Sequence, residues 1–158
     1  MTTDTSSKSK GIVILMADDD DDDYLLTKKA LKESKLLNQL IRVKDGEELL
    51  EYLRRDGRYK GATDADAPRP GVVLLDLNMP RKDGREALKD IKSDERLASI
   101  PVIVFTTSKA EEDIYRTYQL GVNSFITKPV TFENLTEVMR TLGAYWFEIV
   151  ELPKENNA

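Results

Sequence analysis

Five short apolar runs divide the sequence, and each is typical of a strand that is buried on both faces of a parallel sheet. Three of the runs are continuous, and the other two are weaker because each includes a polar residue. The runs lie at residues 12–17, 40–43, 72–75, 102–105 and 124–126. None approaches the roughly 20 residues that a membrane-spanning helix requires, so the runs predict the strands of a globular core.

A segment with helical spacing follows each run. Apolar residues recur three and four positions apart, which is the pattern of a helix with one buried face. These positions are Leu25, Leu26, Ala30 and Leu31; Leu49, Leu50 and Leu53; Ala87, Leu88 and Ile91; Ile114, Thr117 and Tyr118; and Leu135, Val138, Met139, Leu142, Tyr145, Trp146 and Ile149. Five strands that alternate with five helices predict an α/β fold with a doubly wound, five-stranded parallel sheet.

The ends of the chain differ in composition from this core. Residues 1–10 are rich in Ser, Thr and Lys and predict a disordered tail. Residues 11–152 are expected to form one domain, followed by a short tail at 153–158, because a chain of 158 residues suits a single core. Residues 56–71 contain Gly, Ala, Asp and Pro and predict a long surface loop before the third strand.

Charge and composition narrow the function classes. The net charge of −5 argues against nucleic acid as the main partner, because phosphate binding needs clustered Lys and Arg. The chain has no Cys and no His, which removes thiolate zinc sites, Cys nucleophiles and the commonest general base. The polar N-terminus lacks an apolar signal core, so we expect a cytoplasmic protein with no membrane attachment.

The candidate chemistry lies directly after the apolar runs. Asp18 and Asp19 follow the first run and Asp76 follows the third, whereas Thr106 and Lys128 follow the fourth and fifth. In open α/β sheets, ligands bind beyond the carboxyl ends of the strands. We therefore expect these five side chains to meet at one edge of the sheet.

The charges of this cluster predict a metal-assisted phosphoacceptor. Clustered carboxylates repel one another, and a divalent cation relieves that repulsion. Oxygen ligands of this kind suit Mg²⁺. Asp76 is the candidate nucleophile, which would form an acyl phosphate. Mg²⁺, Lys128 and the Thr106 hydroxyl would then stabilise the phosphoryl oxygens.

Each of these signals has a simpler explanation. The acidic run at residues 18–23 could be a solvated face, and Asp76 could cap a turn. A calcium loop fails, because its sixth and twelfth positions would be Asp23 and Lys29 instead of Gly and Glu. We interpret residues 20–23 as a solvated helix start that complements the helix dipole.

The whole pattern resembles the receiver domains of two-component response regulators. The residues that carry the resemblance are Asp18-Asp19, Asp76, Met79-Pro80, Asp83-Gly84, Thr106 and Lys128-Pro129. It covers about residues 11–150, so residues 11–152 are expected to form a receiver domain. The resemblance also implies a flavodoxin-like sheet with strand order 2-1-3-4-5.

The resemblance assigns a role to each matching position. Asp76 would be the phosphorylated residue, Asp19 a direct metal ligand, Asp18 a ligand through water, and Asn78 a ligand through its backbone carbonyl. Thr106 and Lys128 would be the switch hydroxyl and its lysine, with Phe125 as the switch aromatic residue. The resemblance also implies that the peptide bond before Pro129 is cis.

Within this family, the chain is most similar to stand-alone regulators that pair with bacterial phytochromes. The motifs involved are Asp45-Gly46-Glu47-Glu48, residues 80–86, residues 106–114, residues 126–130 and residues 149–153. A sensor histidine kinase of the phytochrome type is therefore the expected partner. That group begins its acidic site with Glu-Asp, whereas this chain has Asp18-Asp19.

The last helix carries more apolar positions than packing on a sheet requires. One explanation is a wide buried face. The other is a two-fold contact, which the resemblance favours and which makes the chain a homodimer. The candidate dimer residues are Tyr115, Tyr118, Tyr145, Trp146 and Ile149.

The expected function is a phosphoacceptor and signalling domain, without an enzyme activity towards another substrate. Only 30 residues follow Lys128, so output is expected through a protein surface that phosphorylation changes. A phosphohydrolase is the first rival, but it would carry a second Asp where this chain has Asn78. A degenerate receiver that serves only as a scaffold and a relay intermediate that passes the phosphoryl group onward to a histidine protein are the remaining alternatives.

Overall fold

Five parallel strands form the centre of the fold, in the spatial order β2-β1-β3-β4-β5. The structure is a computed structural model, and it describes residues 11–129 and 131–144. The strands are β1 (Ile14–Ala17), β2 (Leu40–Val43), β3 (Val72–Leu75), β4 (Val102–Thr106) and β5 (Ser124–Thr127). The predicted fold class and strand order are confirmed. The first strand begins at Ile14, two residues later than the start of its apolar run.

A helix forms in each of the five predicted segments, and the part of the last segment after residue 144 lies outside the described residues. They are α1 (Asp21–Glu33), α2 (Gly46–Arg54), α3 (Gly84–Ser93), α4 (Glu111–Gln119) and α5 (Phe132–Leu142). Four of them begin with a side-chain cap, in which Asp20, Asp45, Asp83 or Thr131 accepts a hydrogen bond from a backbone N–H. Such caps satisfy donors that a helix leaves unpaired at its start. The starts of these four helices are therefore fixed by the residue that ends the preceding loop, whereas α4 follows Ala110 without a side-chain cap.

The core lies on both faces of the sheet. Along β1, Leu15 and Ala17 belong to the cluster that packs under α2 and α3. Ile14 and Met16 belong to the opposite cluster, which packs under α1 and α5. Because helices cover both faces, β1 has no polar position, and its apolar run is continuous.

The segment between α2 and β3 is more ordered than a simple surface loop. It contains a short 3₁₀ helix, Gly57–Tyr59, and it buries the side chain of Ala67. The rings of Tyr52 and Tyr59 meet edge to face at 5.0 Å, and the Tyr52 hydroxyl donates to the Pro68 carbonyl at 2.8 Å. The prediction of a loop at residues 56–71 therefore holds only in part, because these tyrosines tie the segment to α2.

Several other expectations concern the ends of the domain. The described residues contain no cis peptide bond, so the expected cis bond before Pro129 is wrong. An X–Pro bond has only a small intrinsic preference between its two isomers, and here the fold is built with the trans form.

Residues 1–10 and 153–158, and the dimer candidates Tyr145, Trp146 and Ile149, lie outside the described residues. In the described part of the chain, no helix is both long and apolar enough to span a membrane.

An ion pair joins the start of α3 to the start of α4. The Arg85 guanidinium donates to both oxygens of Asp113, through Nε at 2.7 Å and Nη2 at 2.7 Å. Ser108, in the loop after β4, donates its hydroxyl to Asp113 at 2.7 Å. The hydrogen bond from Arg85, followed by that from Ser108, lowers the pKa of Asp113 to about 2, although partial burial opposes the shift.

The close approach at Gly84 yields a first prediction. A Cβ atom there would lie 2.2 Å from the carbonyl oxygen of Asp76, so alanine forces the loop after β3 to move. We expect Gly84→Ala to lower the free energy of unfolding by about 2–3 kcal/mol in urea titrations. Gly61→Ala is the control, because the space around Gly61 is open. An alanine there meets no other atom and is strained only by the positive φ of the backbone. Equal losses for the two variants would contradict this account.

The Arg85–Asp113 pair predicts a pH-dependent contribution to stability. Because the folded-state pKa of Asp113 is lowered from 3.8 to about 2, the pair stabilises the fold above about pH 4, and this contribution is lost as the pH falls towards 2. Asp113→Asn should lower the free energy of unfolding by about 1 kcal/mol at pH 7, and the difference from the unmodified chain should shrink below pH 4. Glu112→Gln breaks only an exposed pair with Arg116 and should change little. A pH-independent difference for Asp113→Asn would refute the assignment.

Candidate functional site

Three carboxylates gather at the carboxyl edge of the sheet. Asp18 and Asp19 directly follow β1, and Asp76 directly follows the neighbouring β3. One carboxylate oxygen from each lies within 4.8 Å of the others. Asp18 and Asp76 are buried, whereas Asp19 is exposed. The parallel register that pairs Ala17 with Leu75 is what brings these residues level with one another.

The Lys128 ammonium lies among the carboxylates. Its backbone N–H donates to the Thr106 carbonyl at 2.7 Å and extends the β4–β5 ladder, which directs the side chain to the same edge. The Nζ atom lies 2.6 Å from Asp18, 2.7 Å from Asp23 and 3.2 Å from Asp76. Burial, the largest influence, lowers the pKa of Lys128, but the hydrogen bonds and charges of its carboxylate partners together outweigh burial and raise it. The ammonium is therefore a fixed positive charge.

The Asp76 side chain accepts two further hydrogen bonds. The Thr106 hydroxyl donates to its Oδ1 atom at 2.7 Å, and both residues are buried. The backbone N–H of Asn78 donates to the same oxygen at 3.1 Å. Together with Lys128 on Oδ2, these donors hold the carboxylate in one orientation and surround it with positive partial charge.

Asp18 shows the electrostatic cost of the cluster. Burial raises its pKa from 3.8 to about 6, an effect that Lys128 opposes and that the charge of Asp76 reinforces. A cation that shared these oxygens would lower the energy of the ionised cluster. The atoms that would bind this cation are carboxylate oxygens, with no nitrogen or sulfur among them. Hard divalent ions prefer oxygen ligands of this kind. The residues present therefore fit a divalent cation of the Mg²⁺ class.

The structure brings together the residues that the sequence placed at strand ends, which are Asp18, Asp19, Asp76, Thr106 and Lys128. Asn78 is exposed and adjoins Asp76 through its backbone. The metal-binding and catalytic roles of these residues stay predictions.

The remaining candidates lie beside the site. Phe125, on β5, is half-buried and packs against the core under α2 and α3. Its backbone N–H donates to the Tyr118 hydroxyl at 3.1 Å. Tyr115 and Tyr118 are both exposed on α4. The switch role of Phe125 and the dimer role of the tyrosines stay predictions.

Asp23 has a contact that the sequence did not predict. Residues 20–23 were predicted to be solvated, but Asp20 caps α1 and Asp23 accepts a hydrogen bond from Lys128. The position of Asp23 along the chain could have indicated this contact. Asp23 lies in the first turn of the helix that follows β1, and such a turn remains close to the carboxyl edge of the sheet. Asp21 also has a partner, the Arg42 guanidinium at 2.5 Å.

Comparisons with known proteins give the family. The family model described as "Response regulator receiver domain" matches residues 14–140. Response regulator Rcp1 of Synechocystis sp. is 39% identical over 128 residues, which cover 81% of this chain and 84% of Rcp1. The crystal structure of the phosphorylated cyanobacterial phytochrome response regulator RcpA superposes with a TM-score of 0.81 at 39% identity, covering 91% of this chain and 99% of RcpA.

A second solved structure, the Mn²⁺-bound form of Rcp1, has a TM-score of 0.80 at 38% identity and covers 90% of this chain and 99% of its own. Sequence and fold agree over the same region, and that region includes every strand-end residue described above. The chain therefore belongs to the response regulator receiver domain family.

Proposed function

We propose that this chain is a single-domain response regulator that accepts a phosphoryl group on Asp76 from a sensor histidine kinase. The observation that supports this most is the surrounding of Asp76, where Thr106, Asn78 and Lys128 donate to its two oxygens. A carboxylate oxygen of Asp76 attacks the phosphorus atom, and the bond from phosphorus to the donor's imidazole nitrogen breaks. The product is an acyl phosphate on Asp76.

Mg²⁺ is the proposed cofactor, held by Asp19 and Asp76, by Asp18 and by the Asn78 carbonyl. When bound, the ion would supply positive charge close to the phosphoryl oxygens during the transfer of the phosphoryl group to Asp76. Support comes from the spacing of the carboxylates and from the related Rcp1, whose structure holds Mn²⁺. The chain itself orients Asp76, and Lys128 and Thr106 offer donors to the oxygens of the new phosphoryl group.

The proposed output is a change in the surface formed by α4, β5 and α5. If Thr106 turns its hydroxyl towards a phosphoryl oxygen, the side chain of Phe125 can move into the space beside β4. That movement would shift the backbone of β5 at Phe125, whose N–H donates to the Tyr118 hydroxyl, and would thus affect α4. A downstream protein would read this difference in packing.

The kinase is proposed to be of the phytochrome type, in the cytoplasm. RcpA is named as a phytochrome response regulator, and another structural relative belongs to red light signalling in R. palustris, at 34% identity and a TM-score of 0.82. We also propose that the chain is a phosphoacceptor, without hydrolase activity on other phosphomonoesters. The position two residues after Asp76 is Asn78, which cannot serve as a general acid or base.

The central test is phosphorylation by a small donor. After incubation with Mg²⁺ and acetyl phosphate, mass spectrometry of the intact chain should detect one added phosphoryl group, located on Asp76 by peptide mapping. Asp76→Asn should lose this labelling by at least about 100-fold, because an amide is not a nucleophile here. Asp90→Asn is the matched control, since Asp90 pairs with Lys82 away from the site. Labelling that persists in Asp76→Asn would refute the acceptor assignment.

The chain is further proposed to form a homodimer through α4 and the end of the chain. Tyr115 is 65% and Tyr118 is 48% exposed, although both are large aromatic side chains on one helix. Exposed aromatic residues that cluster in this way are typical of interfaces.

Sedimentation velocity tests the dimer. Tyr115→Glu should shift the sedimentation coefficient from dimer to monomer, because it places a charge in an apolar contact. Ser99→Glu adds the same charge on an exposed loop before β4 and should leave the dimer intact. The same coefficient for Tyr115→Glu and the unmodified chain would exclude this interface.

A further inference from the structure

The Lys128 ammonium has no spare donor in this structure. An ammonium carries three N–H groups, and three carboxylate oxygens lie within hydrogen-bond distance, on Asp18, Asp23 and Asp76. The contact with the acceptor Asp76 is the longest of the three, at 3.2 Å. For a short hydrogen bond to a phosphoryl group on Asp76, the ammonium must move towards that residue, which lengthens its contacts with Asp18 and Asp23.

Exposure decides which carboxylate is released. The Asp18 side chain is 1% exposed, whereas that of Asp23 is 34% exposed. A buried carboxylate that loses its cation has no compensation from solvent, and the penalty is large. Asp23 is therefore the contact that can break at low cost. It also lies outside the group of carboxylates close enough to share a metal ion.

Thr27 provides a second, independent observation. It is buried, and within the described part of the chain its hydroxyl oxygen has no hydrogen-bond partner. Thr27 and Asp23 stand four residues apart on α1, which places them on the same face of the helix. Both line a cavity of about 60 Å³ next to Lys128, Phe105 and Phe132. A buried hydroxyl without a partner is destabilising. We therefore expect the Thr27 hydroxyl to gain a hydrogen-bond partner in another state of the site.

We propose that Asp23 is a positioning residue that holds the Lys128 ammonium in a resting place, and that the Thr27 hydroxyl receives the Asp23 carboxylate when the ammonium moves to the phosphoryl group. This inference rests on the proposed function of Asp76. In the resting state, Asp23 competes with the acceptor for Lys128. In the phosphorylated state, the hydroxyl of Thr27 donates to Asp23 in place of the lysine. Asp23 thus disfavours the phosphorylated state, because it competes for Lys128, whereas Thr27 favours that state, because it donates to the released carboxylate.

Beryllofluoride, an analogue of the phosphoryl group, measures this balance without turnover. Isothermal titration calorimetry at saturating Mg²⁺ should give an affinity for beryllofluoride that is roughly three- to tenfold tighter in Asp23→Asn than in the unmodified chain, because one strong competitor for Lys128 is gone. Asp22→Asn is the matched control. It removes the same charge from the same helical turn, and Asp22 is exposed. Among the described residues, the ion pairs of Lys128 are with Asp18, Asp23 and Asp76 and do not include Asp22.

Thr27→Val should act in the opposite direction. Valine keeps the shape but cannot donate to the released carboxylate, so beryllofluoride binding should weaken by roughly threefold. The stability of this variant in urea should be unchanged or higher, because an unpaired hydroxyl is removed. In the double variant with Asp23→Asn, the effect of Thr27→Val should disappear. A merely structural role for either residue would not produce a gain of affinity or this non-additivity.

The outcomes separate the two proposals. If the unmodified chain binds no beryllofluoride, the function of Asp76 fails. If it binds, but Asp23→Asn and Asp22→Asn have equal affinities, Asp23 does not restrain Lys128 and the inference is overturned. If Thr27→Val weakens binding equally with and without Asp23→Asn, the hydroxyl does not act through Asp23, and its part in the inference is wrong. Asp23→Ala provides the same test should Asp23→Asn fold poorly.

Discussion

The contact between the Lys128 ammonium and the carboxylates at the sheet edge is the interaction on which the site depends. Asp18 and Asp76 are buried side by side. Burial raises the pKa of Asp18, and the charge of Asp76 adds to this effect. Lys128 supplies part of the compensation and is held in place by the β4–β5 ladder. The negative charge of the carboxylates that Lys128 does not compensate makes the site suitable for a divalent cation. Asp76, Lys128 and the carboxylates after β1 are thus one electrostatic unit, built from three different strand ends.

A ring of contacts extends this unit towards α4. The Thr106 hydroxyl bonds to Asp76, and the backbone of Ser108 approaches the same hydroxyl at 3.5 Å. The Ser108 side chain bonds to Asp113 at the start of α4, and Arg85 links Asp113 back to the start of α3. Both loops that flank the acceptor are therefore tied together. These contacts connect the Asp76 oxygens to α4, the helix that carries the exposed tyrosines.

Much of this arrangement can be predicted from the sequence, because burial on both faces leaves a clear mark on a strand. The continuous run that contains Ile14 has no polar position, and the residues that follow such runs must meet at one edge. Contacts that depend on helix geometry are different. The bond from Asp23 to Lys128 depends on where Asp20 starts α1, and the sequence distance between the partners is 105 residues. Composition alone indicated a solvated acidic run there, and the same limit explains why tyrosines that order the segment before β3 were missed.

The hydroxyl of Tyr118 occupies a backbone donor at the outer edge of β5. An unpaired strand edge can recruit a strand from another molecule, which leads to mixed sheets and aggregation. Here a phenol from the neighbouring helix takes the position that such a strand would need. This hydrogen bond therefore hinders extension of the sheet at β5, and it leaves the helical surfaces at this side as the places where another molecule can bind reversibly.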